Sequence, residues 1–259
     1  MTFFDSVVLG VVEGFTEFLP ISSTGHLILA SSILGIATSD STKTFEIAIQ
    51  AGAVVAVIIY YTKKILSNWS LIPKIIVAFI PTAIIGLSVY KLVKTYLLGN
   101  ALIVVIALIV GGIVLWVIES YKKESTLHQE LDEHEVTYRE AIIIGLWQIL
   151  AFIPGVSRSG ATIIGGRLAN IPKKIIIEFS FMLAIPTLLA ATGLDLLHSY
   201  KTIGSHDVAL LIVGGIVTCI TALFSIKFLL SYIQKNSFKI FGVYRIVIGV
   251  AFLIYVLLT

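Results

Sequence analysis

The chain has 259 residues, 58% of them hydrophobic and only 13% charged, with a formal net charge of +3 and a mean hydropathy of +1.03. That balance excludes an ordinary soluble domain and leaves an integral membrane protein, since apolar runs recur from end to end with no soluble stretch of useful size between them. The small basic excess is what Lys and Arg at the cytoplasmic ends of membrane helices produce and does not point to nucleic acid; the single cysteine, Cys219 in an apolar run, excludes an intramolecular disulfide or a cysteine-rich metal site.

In chain order, the N-terminal MTFFDSVVLG lacks a basic leader region and its apolar run contains Glu13 and Glu17, so it is expected to be retained. Residues 3–36 are apolar overall but are interrupted at Pro20, where a helix loses a backbone hydrogen bond and meets a steric clash. Segment 3–36 is therefore expected to form two half-helices that dip into the membrane and return on the same side. Full crossings, at roughly 20 apolar residues each, are expected at about 45–61, 72–90 and 101–118. Loop 119–140, with its run of charges and with His128 and His134, reads as a solvated cytoplasmic linker rather than a metal site. Segment 141–169 is a second broken helix, interrupted at Pro154-Gly155, and crossings at about 175–197, 207–230 and 241–258 complete the chain.

The linker divides the chain into two similar halves, about 1–118 and 141–259 of one polytopic domain. FLPISSTG (18–25) aligns with FIPGVSRSG (152–160), and each is followed by three crossings. If the N-terminus is outside, loops 62–71, 119–140, 170–174 and 231–240 face the cytoplasm. Those loops and adjoining helix ends hold Lys63, Lys64, Lys74, Lys122, Lys123, Arg139, Arg167, Lys173, Lys174, Lys227, Lys235, Lys239 and Arg245, against Lys43, Lys91, Lys94 and Lys201 outside. This is the positive-inside asymmetry. The expected fold is thus an all-α polytopic membrane protein of two inverted-topology repeats, each a re-entrant broken helix plus three transmembrane helices. Such repeats place a binding site where their two breaks meet.

The breaks carry the polar residues. Glu13 and Glu17 lie one turn apart on one helix face, where intramembrane carboxylates need water or partners; the alternative is a helix end solvated near the headgroups. Ser22, Ser23 and Thr24 stand at a half-helix start, where one of them is expected to be the N-cap and where free N–H groups make an anion site. His26 follows as a candidate base or nucleophile. The opposite break, PGVSRSGAT (154–162), adds Ser157, Arg158, Ser159, Gly160 and Thr162, with a guanidinium suited to a bidentate grip on phosphate. The plainer reading of Arg158 is an internal ion pair with Glu17. Gly112, Gly165 and Gly166 read as close-packing positions, and Glu46 and Gln50 as polar partners behind the site.

EGFTEFLPISSTGHL and PGVSRSGATI, in this order and spacing, resemble the signatures of the undecaprenyl-diphosphatase (bacitracin-resistance) family, and the resemblance covers essentially the whole chain. It implies a phosphatase of the bacterial cytoplasmic (inner) membrane that removes the terminal phosphate of the polyprenyl lipid undecaprenyl diphosphate, recycling the lipid carrier of cell-wall synthesis. It also implies a divalent cation, Mg²⁺ or Ca²⁺, which two carboxylates beside a diphosphate would hold as metal ligands. Glu13 and Glu17 match the acidic motif, Ser23 and His26 the catalytic positions of SSTGH, and Ser157, Arg158 and Thr162 the second signature. The mechanism expected from these residues has Arg158 and the half-helix N–H groups carrying diphosphate charge while Ser23 attacks, His26 takes its proton and Glu17 orients the imidazole. His26 as nucleophile is the open alternative. A transporter or flippase for a phosphate-bearing lipid is the rival reading on the same architecture. The site is expected to open to the outer side, and a homodimer is a further expectation.

Overall fold

In a computed structural model the described residues are 1–37, 39–98, 100–121, 134–199 and 204–258. Lys122, Lys123 and His128 of the expected linker, and Lys201, lie outside them. Everything regular among the described residues is helical: α1 (Phe3–Thr16), α2 (Ser23–Ile33), α3 (Asp40–Ala48), α4 (Gln50–Ser67), α5 (Leu71–Leu92, extended by a wide turn over Val93–Leu97), α6 (Ala101–Tyr121), α7 (Tyr138–Gln148, extended by a tight turn over Ile149–Phe152), α8 (Arg158–Leu168), α9 (Lys173–Ser199), α10 (Ser205–Ile233) and α11 (Lys239–Leu258). Six stretches are long and apolar enough to cross a membrane: Asp40–Ser67, Leu71–Leu97, Ala101–Tyr121, Lys173–Ser199, Asp207–Ile233 and Lys239–Leu258. They cover the six predicted crossings. Large apolar side chains such as Phe4, Ile84, Leu87, Ile212 and Val247 face outward, as a lipid-bathed surface requires. The chain is an all-α, multi-pass membrane protein.

The two interrupted segments break where the sequence places the breaks, and each half-helix has a local reason to start. Both α1 and α7 open on a capping box. The Thr2 amide donates to Asp5 at 2.7 Å and the Asp5 amide returns to the Thr2 hydroxyl at 3.2 Å, while Thr137 and Glu140 repeat the exchange at 2.7 and 3.3 Å. After the breaks, α2 and α8 start on serine caps. The Gly25 amide donates to the Ser22 hydroxyl at 3.3 Å, and that of Gly160 to Ser157 at 3.0 Å. His134, at the entrance to α7, lies 3.3 Å from Glu140 Oε2, and no group of three or more His, Cys, Asp or Glu side chains is placed to hold a metal among the described residues.

Helix neighbours come in matched sets. α1 packs on α10 and α7 on α5; α10 also packs on α4 and α5 on α9; α4 meets α9 and α6 meets α11. Small residues allow these approaches. A Cβ on Gly14 would stand 1.9 Å from Thr221 Oγ1 of α10, and one on Gly145 of α7 would stand 2.1 Å from the Ala78 carbonyl of α5. Gly112 and Gly242 face each other across α6 and α11, each Cβ position within 2.8 Å of the other's carbonyl oxygen. The largest buried apolar cluster draws on both halves, from Phe18 and Val57 to Phe179, Phe181 and Phe241.

Two of the basic residues assigned to the cytoplasmic loops and adjoining helix ends are buried. Arg245 is wholly buried, and Arg167 is 8% exposed with its Nε 3.0 Å from Glu119. Arg245 is the seventh residue of α11 and answers only to internal acceptors, whereas Arg167 lies in the last turn of α8, beside loop 170–174, and pairs there with Glu119.

Candidate active site at two helix breaks

The two breaks meet. Ser159, in the first turn of α8, donates to the Leu19 carbonyl of the first break at 2.8 Å. Arg158 reaches Glu17, with Nη2 2.9 Å from Oε1 and both side chains less than 10% exposed. The capping serines mark these breaks with an unusual backbone. Ser22 has φ 73° and Ser157 φ 77°, in the left-handed half of backbone space that residues with a Cβ seldom occupy. Such strain costs on the order of 1–3 kcal/mol per residue and concentrates where a functional site over-determines the backbone.

Around the breaks lies a cavity of about 170 Å³. Glu17, Ser22, Ser23, Thr24, Ser157 and Arg158 line one side; Gln50, Thr82, Gln148 and Thr187 add uncharged polar groups. Ser23 Oγ donates to Glu17 Oε2 at 2.5 Å, a charge-assisted bond at the short end of its range. Glu17 therefore bridges Ser23 and Arg158, one carboxylate oxygen to each. Arg158 is further fixed by Nη1 on the Ser180 carbonyl at 3.0 Å and hydroxyl at 3.3 Å, and its guanidinium lies 5.8 Å from the Phe18 ring centroid. Its Nε is buried with no hydrogen-bond partner. The residue itself lines the cavity, and a guanidinium there brings positive charge to any oxyanion that enters.

Several expected contacts are arranged differently. His26 does not meet Ser23. Its Nδ1 is 2.8 Å from the Ser22 carbonyl, its Nε2 is 2.8 Å from the Tyr244 hydroxyl, and its ring stacks on Tyr244. A carbonyl only accepts, so Nδ1 carries the proton, and in the neutral ring Nε2 accepts from Tyr244. No lone pair is then free for the Ser23 proton. The acceptor in contact with Ser23 is Glu17. Ser159, Gly160 and Thr162, read from the sequence as phosphate contacts, are buried off the cavity. Ser159 ties the breaks together, the Gly160 amide serves the cap, and Thr162 Oγ1 lies 2.6 Å from the Ser180 hydroxyl that supports Arg158. Glu46 is likewise turned away from the cavity and accepts from Ser31 at 2.8 Å, whereas Gln50 lines the wall.

Glu13, one turn before Glu17, is fully buried, and both its carboxylate oxygens lack a hydrogen-bond partner. Its charged neighbours are Glu17, Glu46 and Arg158. A carboxylate in that condition needs a proton or a cation. Mg²⁺ is commonly held by one or two carboxylates, with phosphate oxygens and water completing the shell, so Glu17 on the cavity wall with Glu13 buried one turn behind it is a donor pair that fits a divalent cation.

Some residues around the site escape sequence reasoning. Tyr244 and Arg245 come from the far end of the chain, Ser180 from α9 and Gln148 from α7. The available signal for Arg245 and Gln148 was their place inside apolar segments, where a strongly polar side chain reads as functional by default.

The family model described as bacitracin resistance protein BacA matches residues 6–251. Curated relatives named undecaprenyl-diphosphatase include those of Aquifex aeolicus, 48% identical over 97% of this chain and 98% of the relative; Bdellovibrio bacteriovorus, 46% over 98% and 96%; and Persephonella marina, 44% over 99% and 100%. With these matches running nearly end to end and the two signature motifs facing each other across one cavity, the chain belongs to the bacitracin resistance protein BacA family.

Proposed function

We propose that this chain hydrolyses undecaprenyl diphosphate to undecaprenyl phosphate and inorganic phosphate, with Ser23 as nucleophile and Glu17 as its base. The observation that carries the chemistry is the Ser23 hydroxyl donating to a carboxylate that Arg158 holds from the other side, at the start of a half-helix. The terminal phosphoryl group enters the cavity beside the Arg158 guanidinium and the free amides of the capped half-helices, which carry its negative charge. Glu17 takes the hydroxyl proton as Ser23 Oγ bonds to the terminal phosphorus, and the bond from that phosphorus to the bridging oxygen breaks, releasing undecaprenyl phosphate. Water then attacks the phosphoserine, Glu17 relays its proton, and phosphate leaves with Ser23 restored. A divalent cation bound by Glu13 and Glu17 would supply further neutralisation of diphosphate charge. A lipid carrier without hydrolysis has no use for a nucleophile paired with a base.

The chain forms two inverted repeats, each opening on a re-entrant broken helix. Supporting this are the paired capping boxes, the serine caps at nearly equal positive φ, and the exchange of neighbours in which α1 packs on α10 as α7 packs on α5. The protein resides in the bacterial inner membrane with the cavity toward the outer side, a reading supported by the excess of Lys and Arg in loops 62–71 and 170–174 and their flanks.

The test is phosphate release from purified, detergent-solubilised protein, where no gradient exists and transport is undefined. Wild-type protein should release phosphate and lose that activity to a chelator, and Ser23→Ala should lose at least about a thousandfold. If Ser23→Ala keeps substantial release while His26→Ala has none, the nucleophile is His26 and the route runs through phosphohistidine.

A further inference from the structure

We infer that Arg245, on α11, is a positioning residue of the phosphatase site: a buried guanidinium that gathers the carbonyl ends of both helix breaks and so fixes the direction of their amide groups. The inference rests on the cavity at the breaks being the phosphate site.

Arg245 is 0% exposed, the largest fully buried side chain among the described residues. A guanidinium has five N–H donors, and here five backbone carbonyls receive them. Nη1 donates to Pro20 O at 3.2 Å and Val156 O at 2.9 Å. Nη2 donates to Gly155 O at 2.9 Å and Ala107 O at 3.1 Å, and Nε reaches Leu108 O at 3.4 Å. Pro20 belongs to the first break, Gly155 and Val156 to the second, and the other two carbonyls to α6. One side chain therefore pins three segments that are far apart in sequence. Glycines make the slot. A Cβ on Gly111 would lie 2.1 Å from Nη2 and one on Gly160 3.1 Å from Nη1.

Two physical needs meet at this point. Non-helical carbonyls at a break have no partner within a helix, and buried ones must find one. A buried cation needs acceptors, and no carboxylate pairs with Arg245 among the described residues. Dipoles alone satisfy the charge, so the positive charge is not cancelled. It remains beneath the two half-helix starts, with the same sign as Arg158.

The consequence for catalysis follows from the planarity of the peptide group. In a trans peptide the C=O and N–H point in opposite directions, and no cis bond occurs among the described residues. Val156 C=O is held toward Arg245, so the N–H of Ser157 points away from it, and Ser157 lines the cavity. Without Arg245 these carbonyls would be free to swing, and a carbonyl turned to the cavity presents negative charge to an anion. The neighbouring Tyr244 binds His26 in the first turn of α2. Helix α11, which packs mainly along α6 at the edge of the bundle, thus reaches into the site at two successive residues.

Three variants separate positioning from mere stability: Arg245→Lys, Ser23→Ala, and Phe252→Ala. Phe252 lies 2% exposed on the same α6–α11 seam and does not line the cavity at the breaks. Melting temperature in detergent, kcat and KM are measured for each, well below every melting point. Arg245→Lys keeps the charge but offers too few donors for five carbonyls, so kcat should fall about ten- to a hundredfold while KM moves less than about threefold. Phe252→Ala should lose stability with kcat nearly unchanged. If Arg245→Lys retains kcat within about threefold of wild type, or loses no more than Phe252→Ala does at equal loss of melting temperature, Arg245 is a structural residue and the inference fails. Should Arg245→Lys not fold, Gly111→Ala displaces Nη2 without removing the charge, and the same kcat loss or its absence decides. Turnover surviving in Ser23→Ala would instead overturn the site itself, whatever Arg245 does.

Discussion

Replacing Glu17 with glutamine removes one charge while keeping the shape, and the geometry says which function is lost. Glu17 accepts from Arg158 Nη2 at 2.9 Å on one oxygen and from Ser23 Oγ at 2.5 Å on the other. Arginine only donates, so the glutamine carbonyl must face Arg158 and its NH₂ must face Ser23. The serine can then only accept, and its proton has no acceptor at position 17. Loss of a general base costs about 10²- to 10⁴-fold in rate, or about 3–5 kcal/mol of barrier. Stability falls too, because Arg158 keeps Ser180 but loses its counter-charge. Breaking a buried pair from one side costs about 3–5 kcal/mol, and the retained carbonyl places this case at the lower end. The measurement is kcat from phosphate release below the melting point of the variant, beside His26→Gln. Turnover of Glu17→Gln within about tenfold of wild type, with His26→Gln inactive, would refute Glu17 as the base and return that role to the imidazole.

Arg158→Lys should still insert and fold, since the positive charge opposite Glu17 remains. It should lose about 1.5–3 kcal/mol of transition-state binding, one to two decades in kcat/KM, because the planar fork and its unpaired Nε are gone. Near-normal kcat/KM would reduce Arg158 to a structural ion pair. Gly14→Ala places a Cβ 1.9 Å from Thr221 Oγ1 and 2.5 Å from the Thr218 carbonyl, whereas nothing lies within 4 Å of a Cβ on Gly193. The first should cost about 1–3 kcal/mol and lower the melting temperature in detergent, the second should leave it unchanged or slightly raised, and equal melting points would contradict the α1–α10 packing.

The crossings were legible because apolar length is a one-dimensional property, and the breaks because Pro20 and Pro154-Gly155 act on their own backbone. The facing of the two motifs was also legible, through the likeness of the halves around them. The pairing inside the site was not. Ser23 and His26 stand three residues apart in one helix turn, which invites a nucleophile-base pair, yet the turn through Pro20 brings Glu17 to Ser23 and sends the imidazole to Tyr244, 218 positions away. Arg245 was misread for a related reason. Seven residues into an apolar helix that begins with Lys239, it resembles a flanking charge, and only the folded chain puts five carbonyls around it.

The serine caps at 22 and 157 set a limit on how this protein can be made more robust. Their side chains stabilise the starts of α2 and α8 while their backbones sit in a costly conformation. The usual routes to a sturdier chain, relaxing outlier dihedrals or substituting better helix formers, would act directly against that arrangement. A chain optimised at these two positions for thermal tolerance would favour straighter segments, and a straight segment lacks the interior helix start that the proposed phosphate site requires. Durability is better sought at the lipid-facing surface, where exchanges among apolar residues leave the caps untouched.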